Sequence, residues 1–214
     1  MLTNLCKQSI LESMDGLERT ALLVSSLAAD VGHPGRTNSF LVAIRDPVSV
    51  RYNGLHVLEN FHVATLFSTL QTSATDITQD FTDANDLAAF HNMCCKFILS
   101  TELARNKFQV DDFEKRITSG ALDPWNNASH RYEVLGLLLH SADVCNVARV
   151  PLVAAKFSRA VQLEFESQGD DEETRGLPIT TGMQAGIADR AKLTVDFIDS
   201  YGGPLFDAIG KLLV

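Results

Sequence analysis

The run Val134-Leu135-Gly136-Leu137-Leu138-Leu139-His140-Ser141-Ala142-Asp143-Val144 leaves almost no polar face at helical spacing. A helix that is apolar all round must be surrounded, so this segment predicts a helix inside the core and demands neighbouring helices to cover it. The rest of the chain supplies them. Leu17, Ala21, Val24 and Ala28 mark one face of a helix from Gly16 to Asp30. Leu58, Phe61, Leu66 and Leu70 keep an apolar side from His56 to Leu70, with a competing stripe through Val57, Phe61 and Ala64. Between Asp86 and Leu103, Leu87, Phe90, Cys94, Phe97, Ile98 and Thr101 fall in helical register. Two more helices are expected, Leu152 to Glu166 and Ile187 to Tyr201. No strand-like alternation of any length and no internal repeat is present. The expected class is all-α, a compact multi-helix bundle.

Turn chemistry divides the pattern. His33-Pro34-Gly35 ends one helix, and Asp123-Pro124-Trp125-Asn126-Asn127 is a turn cluster. Gly169-Asp170-Asp171-Glu172-Glu173 reads as an acidic, solvated loop, and Gly202-Gly203-Pro204 as the separator of the last two helices. With 214 residues, 45% of them hydrophobic, the chain fills one sizeable core rather than two. Its net charge of −9 argues against nucleic-acid backbones, which want a basic face. A small anionic substrate stays admissible, because a bound metal reverses the local field. No run approaches the roughly 18 apolar residues of a membrane span. Met1 to Lys7 lacks the layout of a secretory signal. Cys6, Cys94, Cys95 and Cys145 have no Cys-x-x-Cys spacing and read as reduced thiols, which points to the cytoplasm.

Several polar residues sit where a core would not want them. Asp30 and His33 lie at a helix end, beside the Pro34-Gly35 turn. Glu59 and His62 are about one helical turn apart. Asp143 lies in the apolar run, where a carboxylate is costly unless paired or bound to metal. Spread over three helices, they make a metal-site hypothesis. Taken singly, each reads more readily as a cap, a surface residue or a satisfied core histidine.

Ordered motifs sharpen this. Asp30-x-x-His33 followed by x4-Asn38 resembles the tail of the signature His-Asp-x-x-His-x4-Asn, with Ala29 in the place of its first His. Val57-Leu58-Glu59-Asn60-Phe61-His62 is similar to Val-Leu-Glu-Asn-His-His, and Ile98-Leu99-Ser100-Thr101-Glu102 to Ile-Leu-Ala-Thr-Asp. His140-Ser141-Ala142-Asp143-Val144-Cys145-Asn146 resembles His-x-Ala-Asp-x-x-Asn. Phe165-Glu166-Ser167-Gln168-Gly169-Asp170 resembles Phe-x-x-Gln-Gly-Asp, and Phe197-Ile198-Asp199 with Pro204-Leu205 a C-terminal pocket helix. In this order, over essentially the whole chain, these resemble the catalytic domain of the class I 3',5'-cyclic-nucleotide phosphodiesterases. The chain then reads as one such domain over 1–214, without the family's N-terminal helices.

The resemblance implies a two-metal site, zinc plus usually magnesium, that hydrolyses cyclic AMP or cyclic GMP to the 5'-monophosphate. Asp30 and Asp143 match its carboxylate ligands. His33, Glu59 and Thr101 match residues that orient metal-bound waters. Asn146, Val161, Thr194 and Phe197 match positions of the nucleotide pocket, where an aromatic stacks on the base. A homo- or hetero-dimer is among the assemblies the resemblance allows.

Three departures qualify the activity. Ala29 cannot coordinate a metal. The upstream His-Asn-x-x-His segment, which supplies the general acid and another metal ligand, has no counterpart, and no His precedes Ala29. Thr194 stands where the family's Gln reads the purine through an amide. Two carboxylates suit magnesium or manganese better than zinc, which normally keeps three protein ligands; stoichiometric zinc would mean that His62 or His33 is recruited. The reading is therefore a phosphodiesterase domain with impaired hydrolysis. The alternative is an inactive relative that binds nucleotide or a protein partner.

Overall fold

The computed structural model describes residues 8–213 apart from 73, 75, 82, 187 and 188. In chain order its helices are α1 (Gln8–Ser13), α2 (Gly16–Ala28), α3 (Asn38–Ala43), α4 (Pro47–Arg51), α5 (Val57–Leu70), α6 (Ala84–Leu99), α7 (Asn106–Thr118), α8 (Ala128–Asp143), α9 (Pro151–Thr174), α10 (Arg190–Phe197) and α11 (Gly203–Leu213). Short 3-10 turns occupy Leu103–Arg105 and Val144–Ala148, and a π turn Ile198–Gly202. No strand occurs among the described residues, in agreement with the all-α expectation.

Short polar side chains start these helices by accepting the first free amide protons. Asp15 caps α2 in a capping box: its carboxylate accepts from the Glu18 N–H at 2.7 Å, and Glu18 accepts from the Asp15 N–H at 3.1 Å. Glu18 is only 1% exposed and also receives Arg131, Nε at 3.0 Å and Nη2 at 2.7 Å, which ties α2 to α8. Thr37, Asp46, Asp83, Asn127 and Asp189 cap α3, α4, α6, α8 and α10.

Helix α8 is buried at every residue from Val134 to Ser141. Helix α6 covers it through Phe90, Met93, Cys94, Phe97 and Ile98, and packs on α2 and α5 as well. The α6–α8 approach is close: a Cβ on Gly136 would lie 2.8 Å from Ser100 Oγ. Helix α11 closes the other side, against α7 and α8, with Leu205, Ala208 and Ile209. One polar chain crosses this region. His140 Nε2 lies 2.9 Å from Asn106 Oδ1, and Asn106 Nδ2 donates to the Tyr201 carbonyl at 3.4 Å.

Two expected breaks are corrected. Gly169 to Glu173 is not a solvated loop but the last part of α9, where Gly169 and Glu172 are buried. The side chains of the acidic run find partners outside it: Asp171 accepts from Arg36 Nε, and Glu172 from the Thr180 N–H and hydroxyl and from Gln168 Nε2. Gly202-Gly203-Pro204 does not separate two helices either. Helical backbone runs from α10 through the π turn into α11, because Pro204 falls in the first turn of α11, where a missing N–H costs nothing. Helix α7 has Val110 and Phe113 buried at helical spacing, but its mean hydropathy is low and no expectation named it. No single helix among the described residues is long and apolar enough to cross a membrane.

Candidate metal centre and nucleotide pocket

The centre is built on the turn that leaves α2. Ala28 accepts from the Val31 N–H and Asp30 from the His33 N–H, each at 3.1 Å, so the chain doubles back within a few residues. Gly32, at φ +73°, makes this reversal without the penalty a Cβ would bring. The Phe61 ring packs directly over it, 3.2 Å from where that Cβ would be. The turn presents Asp30 and His33 to solvent and buries Ala29.

His62 rises from α5 beneath the turn and is 2% exposed. Its Nδ1 lies 2.9 Å from the Val31 carbonyl oxygen, and its ring stacks on His33 with centroids 5.6 Å apart. Asp30, His33 and His62 each offer a ligand atom within 4.8 Å of the others. Burial holds the His62 imidazole below its usual pKa, so the ring is neutral and keeps a lone pair at neutral pH.

Asp143 ends α8, where the helix tightens into the Val144–Ala148 turn; it is a solvent-exposed helix-end residue rather than a mid-helix carboxylate. Its carboxyl lies beside that of Asp30. The surrounding protein strips solvent from the carboxyl, and Asp30, then Glu59, add negative charge; together they push it up to about 7. Carboxyls crowded this way are stabilised by a cation.

Glu59 is held from the turn side. Asn38 Nδ2 donates to both its carboxylate oxygens, at 3.2 and 3.0 Å, while Asn38 Oδ1 accepts from the Leu58 N–H at 2.8 Å. That amide therefore caps α5 in place of its N-cap residue, His56, which has left-handed backbone and no capping bond. His56 pairs instead with Glu102 at 2.5 Å, and His56, Glu59 and Glu102 form a second group with ligand atoms within 4.8 Å of one another. Thr101 precedes Glu102, but its hydroxyl bends back to the Ile98 carbonyl at 2.8 Å. His33, Asn38, Glu59, Glu102 and Gln168 line one cleft. A separate groove between α6, α7 and α8, lined by Phe108, Arg116 and Tyr132, contains no candidate residue.

Helix α9 clamps the turn. Gln168 Oε1 accepts from the Thr37 N–H at 2.9 Å, Arg36 Nε donates to Asp171 at 2.9 Å, and Arg36 Nη2 donates to Ser167 at 3.1 Å. Sequence reasoning missed Asn38, Gln168, Asp171 and Glu172 as positioning residues. The signals were the x4-Asn38 tail of the first likeness and the Phe-x-x-Gln-Gly-Asp likeness, which name Asn38 and Gln168 without saying what they hold.

The sequence pattern of the 3',5'-cyclic nucleotide phosphodiesterase family matches residues 1–214. This chain belongs to that family. It is 31% identical over 202 residues to the 3',5'-cyclic-AMP phosphodiesterase 4C of Rattus norvegicus, covering 92% of this chain and 38% of the relative. It is 30% identical over 203 residues to the cGMP-inhibited 3',5'-cyclic phosphodiesterase 3A of Mus musculus, covering 94% of this chain and 18% of the relative. With the 3',5'-cyclic-nucleotide phosphodiesterase regA of Dictyostelium discoideum the figures are 29% over 197 residues, 92% and 25%. The chain thus spans less than two fifths of the length of these phosphodiesterases.

The four pocket candidates of this phosphodiesterase-family chain lie on the Val144–Ala148 turn, α9 and α10, elements that touch one another. The Val144–Ala148 turn, which carries Asn146, packs against the π turn that follows Phe197. Asn146 Oδ1 is buried without a hydrogen-bond partner. Val161 is one helical turn after Ser158 on α9 and 37% exposed. The Thr194 hydroxyl donates to the Arg190 carbonyl at 2.9 Å and lies 3.3 Å from Ser158 Oγ. The Phe197 ring stacks on Tyr201, centroids 5.5 Å apart.

Proposed function

We propose that this chain binds a 3',5'-cyclic nucleotide, cyclic AMP or cyclic GMP, and hydrolyses it slowly to the 5'-monophosphate with a divalent cation. The observation that carries the reading is the contact between the Asp30 and Asp143 carboxyls, which come from distant parts of the chain. Two carboxyls in contact, with Glu59 close enough to add its charge, form a donor set that fits a hard divalent cation; by carboxylate chemistry alone magnesium or manganese suits it. Such a cation, when bound, neutralises phosphate charge and acidifies a water.

The chain's own residues divide the remaining work. His33 Nδ1 accepts from the Gly35 N–H at 3.0 Å, so its Nε2 carries the proton and donates into the cleft, to water or to a phosphate oxygen. Glu59, fixed by Asn38, accepts from water on the opposite side. Thr101 takes a share in that water network only if its hydroxyl leaves the Ile98 carbonyl. The buried, unpartnered Asn146 Oδ1 is an acceptor for a base edge, and Phe197 offers its free face for stacking. Thr194, already bonded to backbone, reads a purine edge poorly, which supports slack discrimination between adenine and guanine.

Turnover is slow because the one proton that His33 offers to the cleft is directed to water or a phosphate oxygen rather than to the departing ribose oxygen. His56 is paired with Glu102, His130 Nδ1 accepts from the Asp123 N–H, and His140 is fully buried. Losing a general acid costs ~10²–10⁴-fold in rate. The test is hydrolysis of both cyclic nucleotides with added magnesium or manganese. Measurable turnover that disappears in Asp30→Asn and Asp143→Asn supports the reading. Nucleotide binding without any turnover favours the inactive-relative reading, and absence of both overturns the proposal.

A further inference from the structure

We propose that His62 replaces the imidazole ligand missing at Ala29, binding a divalent cation through Nε2 beside Asp30 and Asp143. The inference rests on the metal-dependent reading above and adds a ligand to it. Its basis is the opposite hydrogen bonding of two stacked rings. The Val31 carbonyl can only accept, so the His62 nitrogen 2.9 Å away, Nδ1, carries the proton, and Nε2 keeps the lone pair. The Gly35 N–H can only donate, so His33 Nδ1 holds the lone pair that meets it and Nε2 is protonated. Of the two imidazoles clustered with Asp30, one is left as a ligand and the other as a proton donor.

The His62 arrangement is the one that metal-ligating histidines usually have. The second ring nitrogen donates to a backbone carbonyl, which fixes ring orientation and tautomer. Here that carbonyl belongs to the ligand turn itself, so the ring and Asp30 are positioned by the same few residues. Ring stacking on His33 and the Phe61 ring at 5.9 Å limit its rotation. At 2% exposure the imidazole is shielded from solvent. His62 and Asp30 lie in one cluster, and Asp143 adjoins Asp30; a cation that drew all three in would have the three protein ligands usual for a catalytic zinc site. Imidazole also moves preference from magnesium towards manganese, cobalt and zinc.

The test reads the ligand directly. Zinc is titrated into the ¹⁵N-labelled 214-residue chain while the imidazole nitrogens are followed by long-range ¹H–¹⁵N NMR, and zinc affinity is measured by calorimetry for the wild type, His62→Asn, His33→Asn and Asp30→Asn. The expected result is that one equivalent moves the His62 Nε2 resonance and leaves its Nδ1 protonated. His62→Asn then weakens zinc at least tenfold, and His33→Asn less than threefold. The wild-type spectrum decides even if His62→Asn does not fold. Zinc that binds in an Asp30-dependent way without moving His62 overturns the ligand assignment and leaves the metal-dependent reading standing. Zinc binding unaffected by Asp30→Asn, or no zinc binding, overturns both.

Discussion

The carboxyl of Asp143, at the end of α8, lies beside the carboxyl of Asp30, in the turn after α2. Two carboxyls bond to each other only while a proton lies between them. When both ionise they repel, and the contact becomes a place for a cation. Replacing Asp143 by Asn removes that repulsion without changing shape. In metal-free buffer at pH 8 the variant is expected to melt above the wild type, by at most about 1 kcal/mol because the exposed edge of Asp143 lets solvent screen the repulsion. Added manganese should raise the wild-type melting temperature and leave the variant unmoved. A variant less stable than wild type without metal would show that the pair contributes to the fold rather than to cation binding.

Ala29→His tests the ligand defect separately from the missing acid. The new imidazole stands next to Asp30 and should tighten manganese or zinc by roughly tenfold, which is about 1.4 kcal/mol. Hydrolysis should stay well below the ~1–10³ s⁻¹ of typical enzymes, because no proton donor has been added. Full turnover in this variant would mean that the acid is already present and was misassigned. Calorimetry and a cyclic-nucleotide assay on one preparation separate the outcomes.

His140 makes stability depend on acid. Burial pushes its imidazole down to about 4, against 6.5 for the free side chain. Its Nε2–H is committed to Asn106, and Nδ1 is buried with no partner to accept a proton from it. The folded protein therefore binds fewer protons than the unfolded chain between pH 4 and 6.5. Stability is full above 6.5 and falls as pH drops through that window, with a slope approaching ~1.4 kcal/mol per unit from this group. Urea titrations at pH 7.5 and 5.0 should show the loss, and His140→Gln should reduce the difference between the two pH values. Equal pH dependence in the variant would assign it to other groups.

Gly169 is where α9 meets the segment that follows it. A Cβ at this position would lie 2.1 Å from the Met183 carbonyl oxygen, a backbone atom that cannot swing away. Gly169→Ala should cost about 1–3 kcal/mol by overpacking. It should also loosen the Glu172–Thr180 hydrogen bonds, seen as faster amide exchange at Thr180. An unchanged melting temperature would show that the segment relaxes freely.

Sequence patterning by itself determined the helical class, the burial of the run from Val134 to Val144 except at its last three residues, and a turn after the first long helix, which falls at Ala29 to Gly32, just before His33-Pro34-Gly35. Those depend on local quantities: apolar residues at helical spacing, capping side chains and residues that stop a helix. It also ordered the candidate ligands along the chain. Only the tertiary structure decided what those residues face. The acidic stretch at the end of α9 has the composition of a solvated loop, and nothing nearby in sequence reveals that Thr180 waits for Glu172 or Thr37 for Gln168. Helical backbone persists through Gly202-Gly203-Pro204 because the Ile198–Gly202 π turn joins the two helices and Pro204 falls in the first turn of the second, a placement composition does not encode. His62 and Val31 illustrate the same limit at the site. Their residue types are compatible with many arrangements, and the tautomer that makes one nitrogen a ligand is set by a carbonyl on another element. Periodicity is written into a chain one residue at a time, whereas a hydrogen-bond partner from another element exists only once the helices have packed.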